Sequence, residues 1–181
     1  MSKSDASDGK IPPLPERLRA IQAQWRIYGL INEWIRFADA KAGALLAANA
    51  LILVSAVAAF KDHKQVFNDH MWLTVFGVLG LGSLIASAIC CLWCIFPRIR
   101  MAEGTSPIFF GHISQHSSPD DYQKKAGVLG DEDQEFAEIS DQVWRNAKIA
   151  HYKHVWIAFG VAAFAVGLIV SLVVGSYVAF T

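Results

Sequence analysis

Three long stretches of this chain lack acidic and basic side chains: residues 42–60, 72–96 and 155–180 contain no Asp, Glu, Lys, Arg or His. At about 1.5 Å per residue, helices of that length cross a hydrocarbon core of roughly 30 Å. A transporter or proton pump usually carries an ionisable residue inside its spans, so their emptiness weighs against solute transport. An excess of one charge is also missing, because 16 basic residues balance 16 acidic ones. That removes the broad basic field of a nucleic-acid binder. Cysteine is scarce, and Cys90, Cys91 and Cys94 all fall inside the second apolar run, which argues against a secreted disulfide framework. Residues 1–36 are too polar and charged to be a cleavable signal peptide.

What is present reads as an all-α membrane protein. Three transmembrane helices are expected, with a small cytosolic helical bundle formed by extensions of the first and third spans. Residues 1–15 are a flexible lead-in ending in the stiff Ile11-Pro-Pro-Leu-Pro15. From Glu16, Leu18, Ile21, Trp25, Tyr28, Ile31 or Asn32 and Ile35 follow a heptad-like spacing, with Asn32 where a polar residue often fixes register. Such a seam pairs either with its own subunit or with a second copy. No breaker precedes Lys41, so this cytosolic helix (16–41) is expected to continue into transmembrane 1 (42–60). A short polar periplasmic loop (61–71) leads to transmembrane 2 (72–96). A cytosolic segment (97–154) leads to transmembrane 3 (155–180). Trp72, Trp93, Trp156 and Tyr177 sit near span ends, as interfacial anchors do.

Lys and Arg concentrate before residue 42 and in 97–154, with only Lys61 and Lys64 between the first two spans. The positive-inside rule then places the N-terminus and 97–154 in the cytoplasm of a bacterial-type inner-membrane protein, and the C-terminus in the periplasm. Within 97–154, Thr105 to Ser117 reads as a loop or short interfacial helix. Ser118-Pro-Asp-Asp121 has the composition of a helix start. Gly130 interrupts, Asp131 can cap a further helix, and Phe136, Ile139, Val143, Ala147 and Ala150 form its apolar stripe.

Residues able to bind a small anion should gather near the cytoplasmic face. The nucleotide-binding candidates are Asp39, Lys41, Arg98, Arg100, His112, Arg145, Asn146 and Lys148. Arg and Lys hold phosphate, and Asn reads a base edge; positive-inside topology alone also accounts for most of these charges. Ala163, Gly167, Ser171 and Gly175 repeat every four residues and are candidate helix-packing positions, with shorter repeats at Gly43, Ala47 and at Gly82, Ala86. They serve either packing within one chain or contacts in a homo-oligomer. No metal site is expected. A zinc site needs about four converging ligands, and no thiolate stands beside His112, His116, His151 and His154. The cysteine cluster reads as small apolar filler, or as an S-acylation site near the span end. No nucleophile elbow or phosphate-cradling glycine motif is present, so catalysis is not expected.

Four segments in order carry a likeness: ADAKAGALLAANALIL at Ala38 to Leu53, FPR at Phe96 to Arg98, IFFGHIS at Ile108 to Ser114, and QVWRNAKIAHYKH before the last span. Together they resemble the transmembrane effectors of the Pycsar anti-phage defence systems, from about Trp34 to the C-terminus. The resemblance implies a partner cyclase that makes cyclic CMP or cyclic UMP on phage infection. The nucleotide would activate the effector, which would then impair the inner membrane and abort the infection. It transfers no individual ligand contacts. A ligand-independent holin-like pore, or a membrane scaffold for a cytosolic partner, is the competing expectation.

Overall fold

The computed structural model describes residues 15–96 and 106–180. Residues 1–14 of the N-terminal lead-in, and Pro97, Arg98 and Arg100, lie outside the described residues. Among those described, all regular structure is helical. The order is α1 (Glu16–Asp62), α2 (Lys64–Asp69), α3 (Met71–Ile95), α4 (Phe110–Ile113), α5 (Pro119–Ala126), a 3-10 turn (Gly127–Gly130) and α6 (Glu132–Phe180). Three of these, α1, α3 and α6, are long and apolar enough to cross a membrane. The chain is therefore a multi-pass membrane protein.

No proline interrupts α1, which runs unbroken from its polar start into its apolar end. The expected 61–71 loop is more ordered than its polarity suggests. It contains α2, whose Phe67 is buried and lies 4.8 Å, centroid to centroid, from the Phe60 ring. Burial of one aromatic is enough to hold a short turn that would be marginal alone.

Two compact units divide the chain. The larger contains the described parts of Gly29–Met101 and Trp144–Thr181. In it α3 runs antiparallel to α6. Trp72 lies 5.0 Å from Tyr177, and Trp93 lies 6.0 Å from Trp156, ring to ring. Trp72 to Trp93, and Trp156 to Tyr177, each cover roughly 31 Å of helix at 1.5 Å per residue. That matches a hydrocarbon core of about 30 Å bounded by aromatic belts. Between the belts, large apolar side chains such as Leu79, Ile89, Phe159, Ile169 and Leu172 are exposed on the protein surface, as lipid-facing residues are.

The helices close on each other at glycines. A Cβ on Gly167 would stand 2.7 Å from Leu84 Cγ and 3.1 Å from the Gly80 carbonyl oxygen, and one on Gly80 would stand 2.9 Å from Val170. Gly160 meets Cys90 and Cys91 at contact distance. The buried small residues of α6 thus include Gly160 and Gly167, seven apart, with Val174 following at the same interval. The four-residue repeat read from sequence is divided: Gly167 is buried, Ala163 and Ser171 half-buried, and Gly175 exposed with open space around it. A seven-residue interval keeps one face turned to a parallel or antiparallel neighbour, whereas a four-residue one drifts around the helix.

Two apolar clusters make the core of this unit. One joins Ala38 and Ala42 of α1 to Cys91 and Cys94 of α3 and Ile157 of α6. The other joins Phe67, Leu73, Val174 and Val178, with no member from α1. Beyond Asn49 no α1 residue is buried, and a cavity of about 690 Å³, lined by residues including Ala56, Gly77 and Gly175, separates α1 from the α3–α6 pair.

The smaller unit contains the described parts of Met1–Tyr28 and Ala102–Val143. Ile21 and Ile139 are its buried apolar residues on α1 and α6. The helix starts read from sequence form as expected. Ser118 Oγ accepts from the Asp121 N–H at 3.2 Å with proline at the first turn, and Asp131 Oδ1 accepts from the Asp133 and Gln134 N–H groups. The α6 stripe is corrected: Ala147 is exposed, and the buried positions are Ile139, Gln142, Ala150 and Lys153. The face turns because α6 meets polar partners, which an apolar count passes over.

Candidate functional site

The chemistry of the larger unit lies along a polar seam between α1 and α6. Asn146 Nδ2 donates to Asn32 Oδ1 at 2.9 Å. Lys153 Nζ donates to Asp39 Oδ1 at 2.5 Å. The two pairs are seven residues apart in each helix, which sets α1 and α6 parallel in heptad register. A paired asparagine at such a position fixes register, because any slip leaves an amide without its partner.

Lys153 also ties in the third helix. Its Nζ donates to the Cys94 carbonyl at 2.9 Å, and Cys94 lies in the last turn of α3. The final carbonyls of a helix lack intrahelical partners and form its negative dipole end, so an ammonium there is doubly favoured. The Lys153 side chain is only 8% exposed, whereas that of Asp39 is 37% exposed. Lysine stems at membrane ends usually snorkel toward water; this one turns inward and joins α1, α3 and α6 at one point, beside the Trp93–Trp156 belt.

Farther into the apolar stretch, a second polar node repeats the device. Asn49 Nδ2 donates to Ser87 Oγ at 2.9 Å and to the Leu45 carbonyl at 3.0 Å, and Ser87 Oγ donates to the Gly160 carbonyl at 2.8 Å. Both Asn49 and Ser87 are fully buried. Again all three long helices take part.

The smaller unit has its own polar interior. The Ser106 N–H donates to His112 Nδ1 at 2.9 Å, and Gln142 Nε2 donates to Ser106 Oγ at 3.3 Å. Gly111 lets the Phe109 ring fold back against the chain, since a Cβ there would stand 2.5 Å from its Cε1. The FFGH stretch therefore seats a buried histidine against α6. On α1, Arg17 pairs with Asp133 at 2.5 Å and lies over the Phe136 ring at 4.2 Å, and Trp25 Nε1 donates to Glu135 at 2.9 Å. Near α5, His116 Nδ1 and Asp121 Oδ2 are 3.0 Å apart, and the hydrogen bond from His116 holds the Asp121 carboxyl below its ordinary value.

The residues expected to hold nucleotide take the following places. Asp39 is bound to Lys153 and Asn146 to Asn32. Lys41 lies 4.2 Å over the Phe37 ring and Lys148 3.7 Å over the Trp144 ring. Arg145 also has an interaction partner. His112 belongs to the smaller unit and is buried there. Arg98 and Arg100 lie outside the described residues. Lys153 is absent from the expected set, because a basic residue just before a span is explained by topology alone. Its signal is present in the sequence all the same, since Asn146, Lys153, Gly160 and Gly167 share one heptad position. Gln142, Asn49 and Ser87 are absent from it because polar residues do not enter an apolar count. Among the described residues, no three His, Cys, Asp or Glu side chains converge as a metal site would require.

Residues 23–180 match the family of the Pycsar effector protein domain, PycTM. A curated relative, the Pycsar effector protein PtPycTM of Propioniciclava tarda, is 25% identical over 166 residues, covering 87% of this chain and 80% of that protein. No solved structure matches.

Proposed function

This chain belongs to the Pycsar effector (PycTM) family, and from that premise we propose that a cyclic pyrimidine mononucleotide, cyclic UMP or cyclic CMP, switches it on to impair the bacterial inner membrane and abort phage infection. A partner pyrimidine cyclase supplies the nucleotide. The lysine and arginine distribution supports a cytoplasmic N-terminus and 97–154 segment, and a periplasmic C-terminus. The ligand binds where the polar parts of α1 and α6, residues 16–41 and 131–154, form a cytosolic bundle. Asp39, Lys41, Arg98, Arg100, His112, Arg145, Asn146 and Lys148 are the charged and polar candidates that the sequence offers for binding it. Assembly into a homo-oligomer, through small residues such as Gly175, turns the switch into membrane damage.

The observation that carries this reading is the continuity of α1 and α6. Each begins polar and ends as an apolar span without a break, so a change in packing at the start is passed along a stiff rod. To move such a switch from mostly off to mostly on, the ligand must prefer the active packing by about 5.5 kcal/mol. Hydrogen bonds to charged groups at about 1.5–3 kcal/mol each supply that. Propidium uptake by cells expressing the protein, with and without each cyclic mononucleotide, tests it. Uptake only with a cyclic pyrimidine is expected. Uptake on expression alone would make it a ligand-independent pore, and none under any condition would leave a scaffold.

A further inference from the structure

We propose that the nucleotide seats in the smaller unit, between the Arg17–Gln24 face of α1 and the Phe136–Ser140 face of α6. Arg17 takes the phosphate, and Gln24 and Ser140 read the pyrimidine edge. The inference rests on the function proposed above and adds the location and the contacts.

Buried polar atoms in native proteins nearly always have hydrogen-bond partners, so each exception calls for a reason. Among the described residues the buried side-chain atoms without a partner are Arg17 Nε, Gln24 Oε1, His116 Nε2, Ser140 Oγ and Asn49 Oδ1. All but Asn49 belong to the smaller unit. The polar residues of the larger unit's seam are instead engaged with one another or with aromatic rings. Unspent hydrogen-bonding capacity is therefore concentrated away from the seam.

Helical spacing brings these atoms to facing stripes. Arg17, Ile21 and Gln24 follow steps of four and three on α1; Asp133, Phe136 and Ser140 follow steps of three and four on α6. Arg17 touches both Asp133 and Phe136, and Ile21 and Ile139 are buried. The bond from Trp25 to Glu135 pins the same two helices next to Gln24. The chemistry suits a pyrimidine nucleotide. An amide oxygen at Gln24 accepts from N3–H of uracil or from the 4-amino group of cytosine, and the Ser140 hydroxyl donates to a ring carbonyl. Arg17 already lies over the Phe136 ring, and its carboxylate partner Asp133 is 84% exposed. Exchanging that well-hydrated carboxylate for a phosphate held by two parallel N–H groups costs little.

The test uses the full chain in detergent, with binding of cyclic UMP and cyclic CMP measured by calorimetry for the native protein, Arg17→Gln, Gln24→Leu, Ser140→Ala and the control Lys124→Gln, at an exposed position of α5. Each of the first three should lose about tenfold or more in affinity. Arg17→Gln should weaken both nucleotides alike, and Gln24→Leu should change their ratio. Lys124→Gln should bind as the native protein does. A second readout does not depend on those variants folding well: a Ser140→Cys protein should be alkylated by a maleimide more slowly with nucleotide present. If the native protein binds a cyclic pyrimidine while the variants bind equally well and nucleotide leaves alkylation of the Ser140→Cys protein unslowed, the location is wrong and the function stands. If the native protein binds neither nucleotide, the proposed function falls and this site with it.

Discussion

Lys153 on α6 donates to the Asp39 carboxylate of α1 at 2.5 Å and, from the same nitrogen, to the Cys94 carbonyl at the end of α3. One ammonium thereby holds three helices at the membrane boundary. The two partners are unequally placed, since the lysine is buried and the aspartate half-exposed.

That asymmetry makes the first prediction. Removing Asp39 leaves a buried cation with a single carbonyl, whereas removing Lys153 leaves a carboxylate that water can reach. Full burial would cost about 3–5 kcal/mol on breaking such a pair; with one partner in solvent, Asp39→Ala should cost about 2–3 kcal/mol and Lys153→Met about 1 kcal/mol. The double variant Asp39→Leu with Lys153→Met should recover most of the loss. Thermal unfolding in detergent micelles reads all three.

Gly167 and Gly175 should separate cleanly although both belong to the same sequence repeat. An alanine methyl at Gly167 meets Leu84 and the Gly80 backbone, so Gly167→Ala should destabilise by about 1–3 kcal/mol. Gly175 has nothing within 4 Å, so Gly175→Ala should change monomer stability by no more than about 0.5 kcal/mol. Gly175 also borders the cavity between α1 and the α3–α6 pair, so loss of self-association by Gly175→Leu at unchanged stability would show that a second copy reaches this wall.

Ser87→Ala removes the relay between Asn49 and Gly160, yet Asn49 keeps its bond to the Leu45 carbonyl. Interhelical hydrogen bonds in membranes average about 0.6 kcal/mol and reach about 1.7. The variant should fall within that range in the same unfolding assay, and Asn49→Leu should cost more because Ser87 then also loses its α1 partner.

Acid should loosen the smaller unit through Asp121. Its carboxyl is held below the ordinary value mainly by the hydrogen bond with His116. A depressed carboxylate contributes stability that is complete above the unfolded value of about 3.9 and is lost as pH falls through the lower folded value. Asp121→Asn should flatten that acid-side slope and lower neutral-pH stability by the same contribution, a small one because Asp121 is exposed at the surface. Hydrogen exchange of α5 amides on either side of pH about 4 measures it.

Much of this is legible in the sequence, and particular residues show why. The spans announce themselves because a long uncharged run has no other stable setting, and Ser118 and Asp131 announce helix starts by local chemistry alone. Asn32 stands out as a polar residue on a seam, but its spacing leaves open whether it meets its own chain or another copy; its partner is Asn146. Lys153 escapes because basic residues before a span have an ordinary explanation in topology. Phe67 escapes because a single aromatic in a polar loop carries no period.

Length, apolar continuity and capping residues are properties of neighbouring positions, so the sequence by itself determined three helices long and apolar enough to cross a membrane and the unbroken character of α1 and α6. Which face of each helix turns inward was decided only by the tertiary structure. Lys153, Gln142 and Asn146 turn inward because Asp39, Ser106 and Asn32 satisfy them there, and a polar side chain is drawn inward only where a partner from another segment outweighs the loss of water.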